Sequence, residues 1–232
     1  MRVQSLTLAA AGAALLAAST FPVPAATGSH SGPAARTEGR VRAADLLARV
    51  RHCVPVSRGG SRTDERSSAS VRVCATRHAV FWKADMDVDC DGQPTVRCNR
   101  RADPVYSRAT AFHQSDGRYL NAERLPYIVV PAPSRIWNHR ACGVHGGSVA
   151  AVVYRGRVWY AVVGDTGPRG IIGEASYATA HALGIDPDPS TGGVASGVTY
   201  IVFKGSRVKP IEDHAAAVAT GERLAGRFVR RG

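Results

Sequence analysis

Apolar residues along this chain gather in short runs. Six of them, Ser70–Cys74, Ala79–Ala84, Tyr127–Val130, Ser148–Tyr154, Val158–Val163 and Val198–Phe203, are rich in valine, alanine and aromatic residues and are bounded by turn-forming residues. Runs of that length and composition predict strands. Tyr154-Arg-Gly-Arg-Val158 joins two of them through a glycine-containing turn, a hairpin signal. The rhythm changes twice. Leu46, Leu47 and Val50 fall at helical spacing within Ala43–Arg51, and Ser176–Leu183 reads as a helix stopped by Gly184. Arg58–Ser70 is polar and turn-like, and no internal repeat or second domain is evident. The expected class is mainly β with a few short helices (α+β), closed as a β-barrel, with a β-sandwich as the alternative.

The first 26 residues follow another logic. Met1-Arg2 is a short positive start, Leu6–Ala18 is rich in alanine and leucine, and Val23-Pro24-Ala25-Ala26 offers small residues for cleavage. That layout predicts a secretory signal peptide over 1–26, a flexible lead-in over 27–41, and one domain over 42–232. A secreted, extracellular protein can hold disulfides. Cys90 and Cys98 flank the turn formers Asp91, Gly92 and Pro94, which favours their pairing, and Cys53 with Cys74 is a candidate second bridge. With five cysteines in all, at least one stays free or pairs between chains; the spacing leaves the connectivity open.

A net charge of +12 would ordinarily point to an acidic partner such as nucleic acid. The arginines are scattered, however, and no nucleic-acid partner is expected. No later segment has the run of about 20 apolar residues that a spanning helix needs, so no membrane partner is expected either. Against this basic background Asp85, Asp87, Asp89 and Asp91 concentrate four of the 18 acids into seven residues. A basic protein with one sharply acidic patch has a local place for something cationic.

Asp87-Val-Asp89-Cys-Asp91-Gly92 opens like a calcium loop, but the twelfth position, which should carry a bidentate carboxylate, is Cys98. A strand or turn carrying acids for substrate contact explains the run better. His139, Cys142 and His145 lack a fourth ligand at a suggestive spacing. No metal or cofactor is expected, and phosphate-binding and serine-nucleophile motifs do not occur. The strongest constellation is Gly164-Asp165-Thr166 at the end of one apolar run and Gly173-Glu174-Ala-Ser176 at the start of a helix, joined by a glycine-rich bend. Two carboxylates facing one cleft are what glycoside hydrolysis requires, one as acid and one as base. A turn-forming Asp165 and a helix-start Glu174 are the structural alternatives.

Taken together, Lys83-Ala-Asp-Met-Asp-Val-Asp-Cys-Asp-Gly92 and the Gly-Asp-Thr and Gly-Glu-Ala-Ser stretches resemble the signatures of the family 75 glycoside hydrolases, the fungal and actinobacterial chitosanases. The similarity extends from about Leu46 to Phe203. It implies a single catalytic domain that cleaves β-1,4 links of chitosan polymer or oligosaccharides internally and with inversion; a monomer is expected. It also implies that Asp165 and Glu174 are the essential carboxylates, with their acid and base roles unassigned. Asp85, Asp87 and Asp89, on one side of a strand by alternation, and Thr166 are the expected substrate contacts. One departure is the Gly167–Ile172 loop, shorter than the Asn/Gly/Asp-rich loop of fungal members. The Asp-Thr-Gly segment also resembles that of double-psi β-barrel polysaccharide-cleaving enzymes. The competing functions are a non-catalytic polysaccharide-binding module and a hydrolase of another β-1,4 glycan such as peptidoglycan.

Overall fold

Seven strands and three helices make up the computed structural model, which describes residues 37–231. The signal-peptide segment 1–26 and most of the lead-in lie outside the described residues. In chain order the elements are α1 (Ala43–Arg49), β1 (Cys74–Ala75), β2 (Ala79–Asp89), β3 (Tyr127–Pro131), β4 (Val149–Tyr154), β5 (Arg157–Gly167), β6 (Glu174–Ser176), α2 (Tyr177–Leu183), β7 (Val194–Phe203) and α3 (His214–Arg231). Strand order is β1-β2-β6-β3-β5-β4-β7, and β7 pairs back onto β2. That last pairing closes six strands, β2 to β7, into a barrel and removes their free edges. Closure also excludes the sandwich alternative. Two pairs within the ring, β2–β6 and β3–β5, are parallel, and the remainder are antiparallel.

Alternation along the strands sorts the core into two layers. Val80, Trp82, Ala84 and Met86 of β2 share an interior cluster with Ile128, Val130, Val152, Ala161, Val163, Ala175 and Tyr200. There Trp82 stacks on Tyr200 with ring centroids 5.2 Å apart, and Trp137 meets it edge-on at 5.8 Å. Such aromatic pairs contribute about 0.5–1.5 kcal/mol each beyond the area they bury. Residues at the intervening positions, including Phe81, Tyr127, Val129, Tyr160, Val162 and Phe203, point outward, where Leu46 of α1 and Ala217, Ala225 and Phe228 of α3 cover them. The hairpin turn between β4 and β5 is Arg155-Gly156, both with positive φ (45° and 79°), the geometry that matches the twist of paired strands.

Both candidate disulfides form, Cys53–Cys74 and Cys90–Cys98, and Cys142 is the free thiol. His139 is buried in the core with its Nδ1 bonded to the Val144 carbonyl. Two expectations need correction. Strand β2 does not stop at Ala84 but runs on through the acidic residues to Asp89, because its interior positions stay apolar and β7 and β6 continue to pair with it. Ser70–Cys74 is mostly irregular, tied by isolated bridges, with only Cys74–Ala75 forming a strand.

Candidate active site

Asp165 lies on β5, two residues before its end, opposite Val129 of β3. Val129 points outward, so Asp165 does too. A register shift between Ile128 and Val129 lets the two strands stay in phase around Gly164, whose α-carbon lies against the Tyr127 ring. The Asp165 carboxylate is buried, with 6% exposure, and its Oδ1 accepts hydrogen bonds from the Ala111 N–H at 2.7 Å and the Thr166 N–H at 2.6 Å. Burial raises its pKa, while those two donors pull the other way by favouring the anion.

Glu174 is not in the first turn of a helix, as its sequence context implied. It opens β6, and α2 begins only after Ser176, whose hydroxyl accepts from the Thr179 N–H and caps that helix. Ser176 Oγ also donates to the Leu125 carbonyl and accepts from the Tyr127 N–H, which fastens β6 beside β3. Glu174 pairs in register with Asp87 of β2 on one side, and Ala175 pairs with Ile128 of β3 on the other. The acidic strand, Glu174 and Asp165 thus occupy one face across β2-β6-β3-β5, the outer face of the barrel. The Glu174 carboxylate reaches over β3 to Gly167: a Cβ on that glycine would lie 2.7 Å from Glu174 Oε2. No hydrogen bond to this carboxylate forms among the described residues. Burial, reinforced by the charges of Asp87, Asp165 and Asp91, pushes it up to about 7.

The remaining acids surround this pair. Asp87 is exposed, and burial of its inner part and the charge of Asp64 raise its pKa. Asp89 Oδ1 accepts from the Asp91 N–H, and its pKa is raised well above the ordinary value, by burial first and then by Asp91 and Asp165. Asp91, held by the Ser107 N–H, is pushed up to about 6, mainly by burial. Asp85 is withdrawn from the surface, at 7% exposure. Its Oδ1 has no partner among the described residues and would stand 1.9 Å from a Cβ on Gly173, whose φ of +120° only glycine holds easily. Burial and then Asp87 push the Asp85 carboxyl up to about 8. The observed alternation therefore places Asp85, Asp87 and Asp89 on one side, as expected, but leaves only Asp87 and Asp89 open to a ligand. Thr166 pairs with the interior Val130, so its side chain turns away from Asp165 and its backbone N–H is what serves the site.

Six carboxyl groups converge here, and none of them forms an ion pair among the described residues, in a chain carrying thirty Lys and Arg. Sequence reasoning placed Asp91 in the acidic run but left it out of the expected substrate contacts, which stopped at Asp89. It also missed Gly167, Gly173 and the Ala111 N–H, whose roles depend on chain segments that meet only in the fold.

Residues 86–224, more than half of the chain, match the family model described as fungal chitosanase of glycosyl hydrolase group 75. Endo-chitosanase C of Aspergillus oryzae is 33% identical over 134 residues, covering 56% of this chain and 32% of that protein. Endo-chitosanase B of Aspergillus oryzae (strain ATCC 42149 / RIB 40) is 33% identical over 134 residues, 54% of this chain and 56% of that protein. A third relative, named Endo-chitosanase, from the same strain, is 30% identical over 147 residues, 55% of this chain and 56% of its own length. The chain thus spans between a third and somewhat over half of the relatives it matches. Asp87, Asp89, Asp91, Asp165 and Glu174 lie within the matched region, and Asp85 lies just outside it.

Proposed function

This chain belongs to glycosyl hydrolase group 75, and from that premise we propose that it is an endo-acting chitosanase in which Glu174 is the general acid and Asp165 the general base. The observation that carries the reading is the set of carboxyl groups without basic partners. Chitosan bears ammonium groups, and a site of this kind leaves its counter-charges to the substrate. Asp87, Asp89 and Asp91 receive those ammonium groups; Asp85 is too deeply withdrawn to do so.

The division of roles follows from the surroundings of each carboxyl. Glu174, half-buried among acids and without a donor, keeps its proton to about pH 7 and holds it ready for the glycosidic oxygen. Asp165, with two N–H donors on one oxygen, gives up its proton more readily and can take one from water. As that water attacks the anomeric carbon, its proton passes to Asp165 while the Glu174 proton passes to the departing oxygen. Inversion is what the family resemblance implies, and the layout leaves it open: Glu174 Oε2 sits over Gly167, two residues along β5 from Asp165, so the two carboxyls flank one stretch of strand. Inverting pairs are about 6.5–9.5 Å apart and retaining pairs about 5–5.5 Å.

Two disulfides and the leader-like first 26 residues support an extracellular site of action. No helix among the described residues is long and apolar enough to cross a membrane. The test is reducing-end release from chitosan, chitin and peptidoglycan by the wild type, Asp165→Asn and Glu174→Gln. Chitosan should be cleaved fastest, and each variant should lose about 10²–10⁴-fold while melting as the wild type does. A variant keeping more than a tenth of wild-type turnover would lose its role, and preference for peptidoglycan would overturn the substrate.

A further inference from the structure

The segment that follows the acidic strand is as basic as the strand is acidic. Asn99, Arg100, Arg101, Tyr106 and Arg108 line one open hollow of about 650 Å³. Among the described residues none of the three arginine side chains there has an ion-pair partner. The one acid between Pro94 and Arg108, Asp103, is buried and accepts from the Val105 N–H. The backbone beneath is firmly held. The Cys90–Cys98 disulfide closes one side, and the Asn99 side chain bonds the carbonyls of Thr95 and Val96 and the N–H groups of Arg101 and Ala102. Ser190 Oγ donates to the Ala102 carbonyl, and the Tyr106 hydroxyl to that of Gly92. Burial raises the Tyr106 phenol, with the charges of Arg108 and Arg100 opposing that rise and the charge of Asp91 adding to it.

Three like charges gathered on a rigid hollow repel one another unless an anion sits among them. Guanidinium groups are suited to bidentate pairing with phosphate and carboxylate. The hollow also adjoins the acidic site: from Tyr106 the chain runs on to Ser107, which donates to Asp91, and to Ala111, which donates to Asp165. We propose that this hollow is a docking site for a linear polyanion carrying phosphate or carboxylate groups, the counter-polymer that neutralises a cationic polysaccharide. The identity of that partner rests on the chitosanase reading above; the anion preference rests on the arginines alone. By charge complementarity, a basic rim beside an acidic cleft engages both chains of a polyanion–polycation complex. Val96 and Val105 are highly exposed, but two isolated valines make no apolar patch of the size a bilayer contact uses.

The probe is long-chain polyphosphate, titrated against the intact protein over a range of salt concentrations. Two charge-matched variants are compared with the wild type: Arg100→Gln/Arg101→Gln/Arg108→Gln at the hollow and Arg223→Gln/Arg227→Gln/Arg230→Gln on α3. The hollow variant should bind more than tenfold more weakly, with its salt slope reduced by about two to three, and the α3 variant should stay within threefold of wild type. Its turnover of polyphosphate-coated chitosan, relative to its own turnover of the free polymer, should fall as well. Melting curves confirm that both variants fold. Equal losses in the two variants would mean diffuse net charge and overturn the proposal, as would wild-type binding to phosphatidylglycerol vesicles but not to polyphosphate. If the wild type bound polyphosphate through these arginines yet cleaved no chitosan, the enzymatic reading would fall while the anion site stood.

Discussion

Gly167→Ala separates catalysis from stability at one position. Gly167 ends β5, two residues beyond Asp165, and the Glu174 carboxylate occupies the space its side chain would take. A Cβ there meets Glu174 Oε2 at 2.7 Å and Val129 Cγ1 at 3.2 Å, where ordinary contact begins at 3.4 Å. The carboxylate, at the end of a flexible side chain, must therefore withdraw by about 0.7 Å, the shortfall from that contact distance. A displacement of about 1 Å in a catalytic group can cost about 10²-fold in rate, or about 2.7 kcal/mol of barrier. Folding should hardly notice. Gly167 does not have a positive φ, so alanine brings no backbone strain, and restricting the unfolded chain contributes about 0.4–1 kcal/mol in favour of the fold. That gain roughly offsets the tight Val129 contact, and Tm should stay within a few degrees. The assay is kcat on soluble chitosan beside a thermal melt. A variant that keeps kcat within twofold of wild type would refute the placement of Glu174 in the reaction. A loss of activity accompanied by a fall in Tm of ten degrees or more would show a structural role instead.

Other expectations follow from the same carboxyls. Activity against pH should be bell-shaped: it falls as pH rises through about 7, where Glu174 loses its proton, and falls on the acid side as Asp165 gains one, above the ordinary carboxylate range. Asp87→Asn removes the largest charge contribution to the Glu174 rise, so the alkaline limb should move to lower pH while KM for chitosan increases; an unmoved limb would detach Asp87 from the acid. Asp85, at about 8, binds its proton more tightly in the fold than in the unfolded chain, so its contribution to stability is full below about pH 4 and is lost as pH rises through 8. Asp85→Asn should therefore raise Tm at pH 8.5 and change it little at pH 4.5, and an unchanged difference between those two pH values would show that Asp85 is not a buried neutral acid.

Much of the fold was legible because strands and their turns carry local signatures. Five of the six apolar runs became barrel strands, and the Arg155-Gly156 hairpin formed where its glycine pointed. Other elements were hidden for identifiable reasons. β6 is three residues long and abuts the Ser176 cap, so the helix signal overshadowed it. α3 was not anticipated, although Ala217, Gly221, Ala225 and Phe228 recur at helical spacing; alanine and glycine give little hydrophobic contrast against the flanking arginines. Within the site the two essential-looking acids and the alternation of Asp85, Asp87 and Asp89 could be read directly. Their inequality could not. Asp85 is buried and Asp87 open because Gly173 folds over one and not the other, a consequence of the β2–β6 register that no local pattern encodes. The backbone N–H of Ala111 is equally invisible, since any residue but proline could supply it.

Paired action of Glu174 and Asp165 is tested most directly by the stereochemistry of the first product. Proton NMR of a β-linked chitosan oligomer, recorded during the earliest turnovers before mutarotation intervenes, reads the anomer released. An inverting pair leaves room for a water opposite the departing oxygen, so the α-anomer should appear first and the β-anomer only as mutarotation proceeds. Initial release of the β-anomer would contradict the inverting pair and require a covalent intermediate on a carboxylate much closer to its partner.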